Sequence, residues 1–210
     1  RTVAVQDTSP GEQIILEVTF FQPAIQQLLS DSNVGIWPPN RPDTVLWVVV
    51  QDELGERFVA GTAAGGSELL EQIKSLADAR GLPLLLPLQD FEDQRAMRPE
   101  KLWNLDDEAL RSASMRYQSD SVLALRIYRS LSGEIIGKAE HLFRGRVLEH
   151  EALEAPLPQF LQDSVDLATR ELAAYYAILL TGIDNSTEVI LTVDNIGGME
   201  DYAALLHYLQ

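Results

Sequence analysis

His141, His150 and His207 are the three histidines of the chain. None stands in a His-Glu-x-x-His or His-x-His arrangement, so local spacing builds no metal site. His141 falls on the apolar face of an alternating segment and reads as a half-buried residue with a hydrogen-bond partner. Gly61-Thr-Ala-Ala-Gly-Gly-Ser67 is the one candidate phosphate cradle. Four residues separate Gly61 from Gly66 as in a P-loop, but Ser67 stands where lysine is needed and Glu68 where Ser or Thr is needed. A glutamate at a helix start would also compete with a bound anion. Asp90, Glu92 and Asp93, followed by Asp106, Asp107 and Glu108, could offer oxygen ligands or paired carboxylates. They lack the Asp-x-Asp-x-Asp-Gly order of a calcium loop, and Arg95, Arg98 and Lys101 lie among them. There is no Gly-x-Ser-x-Gly elbow, and Asn185-Ser-Thr187 is a three-residue glycosylation sequon of low specificity. No cofactor is expected from these patterns.

The residues best suited to binding lie in a loop, Trp37-Pro-Pro-Asn-Arg-Pro42. Its prolines fix φ and hold the preceding residues extended. An aromatic and an arginine on a pre-ordered loop lose little entropy on binding, and both are hot-spot types. Trp37, Asn40 and Arg41 are therefore the candidate binding residues. The competing reading packs Trp37 beneath the loop and pairs Arg41 with a carboxylate. The loop feeds Thr44 to Val50, a β-branched run apolar at both parities, which predicts a strand covered on both faces.

The remaining elements must support that strand. A strand over 13–19 and a short helix over 23–30 precede it, with Pro23 in the first helical turn. A short strand over 57–60 follows. A helix then starts with Ser67 as N-cap and ends at Gly81. Leu82 to Leu88 predicts a second buried strand with its prolines near the ends, and 89–105 a polar loop. Asp106 caps a helix through Tyr117, and Ser121 to Arg129 is a strand with Leu123, Leu125 and Ile127 on its apolar face. Leu131-Ser-Gly-Glu134 turns the chain into one long strand, Ile135 to Leu148, with Lys138, Glu140, Arg144 and Arg146 on a wet face. After a Pro156/Pro158 linker the longest helix carries Leu157, Leu161, Val165, Ala168, Leu172, Tyr175 and Leu179 at helical spacing. A strand over 189–193 and a helix over 199–209 close the chain. Alternating crossovers and hairpins predict an α/β fold, a three-layer mixed sheet with helices on both faces, plus flanking β-α units. The expected division is an N-terminal β-α unit (1–39), a central mixed domain (40–181) and a C-terminal β-α unit (182–210).

The 210 residues are 46% hydrophobic, enough for one medium globular domain with small additions. No run approaches the ~20 apolar residues that span a bilayer, so no transmembrane segment is expected. Absence of cysteine excludes disulfides and thiolate chemistry. The net charge is −16, and 149–210 holds eleven acidic residues against one base, Arg170. Such a field disfavours phosphate backbones, so nucleic acid is not an expected partner. It reads either as a solvated acidic surface or as a match for a basic protein partner. The chain starts at Arg1, which is expected to follow a removed leader or an excision, and the apolar final helix suggests continuation past Gln210.

Three stretches carry a family resemblance. They are Gly35-Ile-Trp-x-x-Asn-Arg-Pro-x-Thr-x-x-Trp47, Arg80-Gly-Leu-Pro-Leu-Leu-Leu-Pro-Leu88 and Ala113-Ser-x-Arg-Tyr-x-x-Asp-Ser-Val-Leu-Ala124. Together they resemble the uncharacterised proteobacterial proteins grouped as domain of unknown function 2066. The closing Val-Asp-Asn-Ile-Gly-Gly-Met-Glu-Asp-Tyr-Ala is similar to that family's last β-α segment. The resemblance implies a signal peptide, a periplasmic location and a longer chain at both ends, and carries over no catalytic residue. The order of elements from Ser67 to Leu148 is also similar to the amino-terminal domain of the Tol translocation protein and to curli-secretion lipoproteins, which implies envelope protein–protein contacts. Gln118-Ser119 and Pro38-Pro39 depart from the family pattern.

The functional expectation is a non-enzymatic periplasmic interaction or scaffold module of the cell envelope, with the sheet edge and the 37–42 loop as contact surfaces. The alternative is a small-ligand-binding protein or hydrolase whose site is assembled from distant carboxylates and His141. A nucleotide-dependent role for the glycine loop is a third reading.

Overall fold

The computed structural model describes residues 3–5, 16–18, 20–62, 66–130, 133–179 and 198. The chain divides into two compact units, one of residues 35–178 and one of 1–34 with 179–210. In the smaller unit, β1 (Val3–Val5) pairs antiparallel with β2 (Leu16–Val18), and α1 (Gln22–Asp31) begins with proline in its first turn. The strand and helix expected over 189–209 lie outside the described residues.

The larger unit is built on β3 (Thr44–Gln51), buried from Thr44 to Val50. Alternation explains how one strand serves two cores. Leu46, Val48 and Val50 join one cluster with Leu69, Leu70 and Ile73 of α2 (Ser67–Arg80) and Phe160, Leu161, Val165 and Leu172 of α6 (Leu157–Tyr176). Val45, Trp47 and Val49 join the other, with Met97, Leu102, Leu110 and Ala113. That second face is covered by α3 (Phe91–Ala96), α4 (Pro99–Trp103) and α5 (Asp107–Ser114). The result is the three-layer α/β arrangement expected from the order of elements. Burying each large aliphatic side chain contributes roughly 1.5–3 kcal/mol, and Trp47 also donates its indole N–H to Ser114 Oγ at 3.0 Å.

The strands lie in the order β4 (Arg57–Val59), β3, β6 (Ser121–Arg129), β7 (Ile135–Phe143) and β8 (Arg146–Ala155), with the short β5 (Leu84–Leu85) also on β3. β4 is antiparallel to β3, while β6 runs parallel to it along its whole length. β7 and β8 follow as antiparallel neighbours.

Several expectations are corrected. The apolar run Leu82–Leu88 yields only a two-residue strand, β5 (Leu84–Leu85), and Leu88 is exposed. β5 pairs with Thr44 and Val45 while β4 takes Val49 to Gln51 on the remaining edge of β3, so little length is left, and Pro87 has no N–H to extend a ladder. The expected loop 89–105 contains α3 and α4. Asp90 caps α3 by accepting from the N–H groups of Glu92 and Asp93, and Pro99 starts α4. Gly66 rather than Ser67 occupies the N-cap of α2, in a left-handed conformation. β6 is buried on both faces through Leu125. Pro156 and Pro158 belong to the start of α6 rather than to a linker.

The largest correction is the single strand Ile135–Leu148, which is a hairpin. Arg144 (φ 47°) and Gly145 (φ 81°) turn the chain so that Phe143 faces Arg146. Two successive positive φ values are those of a type I′ turn, whose twist matches the flanking strands. The fold makes room for that hairpin at Gly137. A Cβ there would stand 2.7 Å from the Phe160 ring, so glycine lets α6 lie against β7.

Candidate functional site

The structure gives the loop residues separate places. Trp37 is buried at 9% exposure, Asn40 is exposed and Arg41 is half-buried. The guanidinium lies over the Trp37 ring, 4.5 Å from its centroid, and donates to backbone carbonyls. It reaches Gly81 O at 2.5 Å from Nη1 and Pro38 O at 3.2 Å from Nε. Arg41 therefore meets carbonyls at the C-terminal end of α2 and not a carboxylate. Cations are favoured there by the unpaired C=O groups and the helix dipole.

The carboxylates over 90–108 divide between capping and clasping. Arg116 Nη1 is 2.8 Å from Asp90 and 3.0 Å from Asp93, tying α3 to the short 3₁₀ turn Met115–Tyr117 after α5. Asp93 is buried and accepts from the Tyr117 hydroxyl, whose pKa is pushed up to about 12 by burial and by that acceptor. Asp106 accepts from Ala109 N–H at the start of α5. Among the described residues no cluster of His, Asp and Glu could hold a metal ion.

His141 sits on β7 in the centre of a buried polar chain. Its Nδ1 is 2.8 Å from Glu171 Oε2 on α6, and its Nε2 is 2.9 Å from Ser121 Oγ on β6. Ser121 Oγ is in turn 2.9 Å from Thr44 Oγ1 on β3. Burial holds the imidazole below its ordinary pKa, opposed by the Glu171 carboxylate. A neutral ring donating Nδ1–H to Glu171 leaves Nε2 to accept from Ser121, which accepts from Thr44. The order hydroxyl, imidazole, carboxylate is that of a nucleophile, base and orienting acid. Yet Ser121 and His141 both have 0% exposure, so no substrate reaches the hydroxyl in this conformation. The chain fastens β3, β6, β7 and α6 together across the first core.

Among the described residues, only the Glu171 end of this polar chain meets an opening. A groove of about 960 Å³ runs between β8 and α6, lined by Arg146, Leu148, Glu149 and His150 on the strand and by Asp163, Leu167, Arg170 and Glu171 on the helix. Arg144 and Tyr175 close its hairpin end, with the Arg144 guanidinium 4.9 Å from the Tyr175 ring centroid. Glu171 faces Arg146 at 3.3 Å, and His150 is 3.7 Å from Asp163. The groove runs beside the outer edge of β8, which pairs with no further strand among the described residues. His207, the sequon at Asn185 and 63–65 of the glycine loop lie outside the described residues. The sequence signal for the groove was present in Glu171, a carboxylate three residues after Ala168 on the inward face of α6; what it meets depends on strand register.

No family model and no curated protein matches the chain. A solved structure described as an uncharacterized protein is similar at 12% identity and a TM-score of 0.27, over 65% of this chain and 92% of that one. Among the described residues no helix is long and apolar enough to cross a membrane.

Proposed function

We propose that this protein is a non-enzymatic interaction module that binds extended segments of other proteins along β8. The observation carrying this reading is the free edge of β8 with the groove at its side. An unpaired edge offers backbone donors and acceptors that another strand can complete. Charges and irregular register commonly guard such edges. Here the register slips near the far end, between the pairs made by Ile135 and Gly137, leaving Arg146 to Ala152 regular and without proline. The adjoining groove would take side chains from one face of an added strand, the usual source of specificity in strand addition. The periplasmic setting rests on the family resemblance read from the sequence.

Photo-crosslinking residues at Leu148 and His150, compared with Glu68 on α2 and Glu100 on α4 as exposed controls, test the reading in cells. The expected outcome is partner adducts at the first two positions and none at the controls, with slowed amide exchange in β8 after partner binding. Equal adducts at all four positions, or none on β8, would overturn it. Fractionation of the full-length protein tests the compartment separately.

The hydrolase reading has one observation in its favour, the Ser121–His141–Glu171 chain. The burial of Ser121 weighs against it.

A further inference from the structure

The two faces of β8 present opposite chemistry to anything that pairs with its edge. Residues 146, 148, 150 and 152 share the α6 face, because they stand opposite Phe143, His141, Ala139 and Gly137, whose neighbours are α6 residues. Glu149 and Glu151 face the other way, opposite Glu140 and Lys138.

On the α6 face the carboxylates are engaged. Glu171 is held by His141 and Arg146, and Asp163 accepts from Gln159 and stands near His150. Arg170 and Arg144, by contrast, are exposed and lie within ion-pair distance of no carboxylate among the described residues, Arg144 meeting only the Tyr175 ring. The uncommitted charge in the groove is therefore positive, and it lies at the hairpin end. Leu148 and Leu167 supply the apolar floor next to it. On the opposite face, Glu149 already binds Lys138 at 2.9 Å, whereas Glu151 is exposed and has no carboxylate-binding partner among the described residues. The uncommitted charge there is negative.

Building on the proposed edge-binding role, we propose that the occupant is an extended segment of another protein with a two-faced charge pattern. A carboxylate side chain and an aliphatic one, two residues apart, face α6; lysine or arginine between and beside them faces the opposite side, where Glu151 is the uncommitted carboxylate. Alternation places such residues on opposite faces of one strand, and opposite charges directly across a strand pair are favourable. The overall charge of −16 attracts basic segments in general. At physiological salt, however, charges more than about 8 Å away are largely screened. Recognition at the edge is then decided by Arg144, Arg170 and Glu151 rather than by the sum.

The test uses a fluorescein-labelled seven-residue peptide, Thr-Lys-Glu-Lys-Leu-Lys-Thr, with anisotropy and amide shift mapping on the full 210-residue chain. The expected result is binding with shifts along β8, weakened about tenfold when the peptide glutamate becomes glutamine, as for loss of one close charge pair. Arg170→Gln and Arg144→Gln should each weaken it in the same direction. A composition-matched peptide with Glu and Leu adjacent, and so on opposite faces, should bind less well at equal net charge. Of two peptides N-methylated at alternate residues, one should lose binding because its ladder donors are gone. Unchanged affinity on Glu→Gln, or for the adjacent peptide, overturns the two-faced occupant and leaves edge binding intact. Equal binding by both N-methylated peptides, or none by any peptide up to about 1 mM, a weak affinity even for a short strand, overturns both readings.

Discussion

Glu171 on α6 and His141 on β7 meet inside the protein, Oε2 standing 2.8 Å from Nδ1 with the imidazole fully shielded. The contact joins helix to sheet at the point where the second hydrogen bond of the ring passes to Ser121 on β6. A buried ring is stable there as the neutral form, because burial disfavours the imidazolium more than the single carboxylate favours it.

Stability should therefore fall as the medium is acidified. The folded-state pKa of His141 lies below its ordinary value of 6.5. Below that ordinary value the unfolded chain takes up a proton that the folded one refuses, so the unfolded state is favoured. The loss begins as pH falls through 6.5, approaches about 1.4 kcal/mol per pH unit for one proton, and levels off below the folded value. Urea titrations at pH 7.5, 6.5 and 5.5 measure it. His141→Gln should remove this component of the slope; a variant as acid-sensitive as the wild type would assign the slope to other groups.

Ser121 should be chemically silent. A fluorophosphonate probe that labels activated serines is expected to leave it unmodified in the folded protein, since its hydroxyl is fully buried. Ser121→Ala should cost about 1–3 kcal/mol, the usual cost of orphaning a buried polar atom, here His141 Nε2. Stoichiometric labelling of Ser121 would restore the hydrolase reading.

The sequence carried the layered fold because β3 is apolar at both parities and the helices beside it have clear stripes. It did not carry the hairpin at 144–145, because Arg-Gly is a weak turn signal beside Asn-Gly, and the strand pattern continues on either side of it. The starts of α3 and α4 were visible in Asp90 and Pro99, but helices of six and five residues are too short for periodicity to reveal. His141 was legible as a hydrogen-bonded residue. Its partners were not, since Ser121 and Glu171 approach it only once strand register and the α6 docking angle are fixed. Arg41 was legible as a loop cation, while its carbonyl partners at the end of α2 lie 39 and 40 residues away.

Gly137→Ala should be more damaging than an exposed glycine replacement. The added carbon would meet three atoms of the Phe160 ring within 2.9 Å, and Phe160 is itself fully buried. Overpacking of this kind costs about 1–3 kcal/mol. Phe160→Leu, which removes ring atoms, should recover part of the loss in the double variant. Thermal or urea unfolding of the four proteins measures the coupling, and strictly additive losses would show that the ring and residue 137 do not meet.

Arg41→Ala should weaken the protein, whereas Asn40→Ala should not. Arg41 binds the Gly81 and Pro38 carbonyls and covers Trp37, so truncation leaves carbonyls at the end of α2 and the indole face open at once. The expected loss is about 1.5–3 kcal/mol, the range for a hydrogen bond to a charged group. Arg41→Lys should recover little, because a single ammonium cannot follow the planar fork that spans both carbonyls while stacking on the ring. Asn40 is exposed, and its replacement should stay within about 0.5 kcal/mol. Peptide binding to β8 should be unchanged in all three folded variants. A loss of peptide binding in Asn40→Ala with unaltered stability would instead mark the 37–42 loop as part of the contact surface.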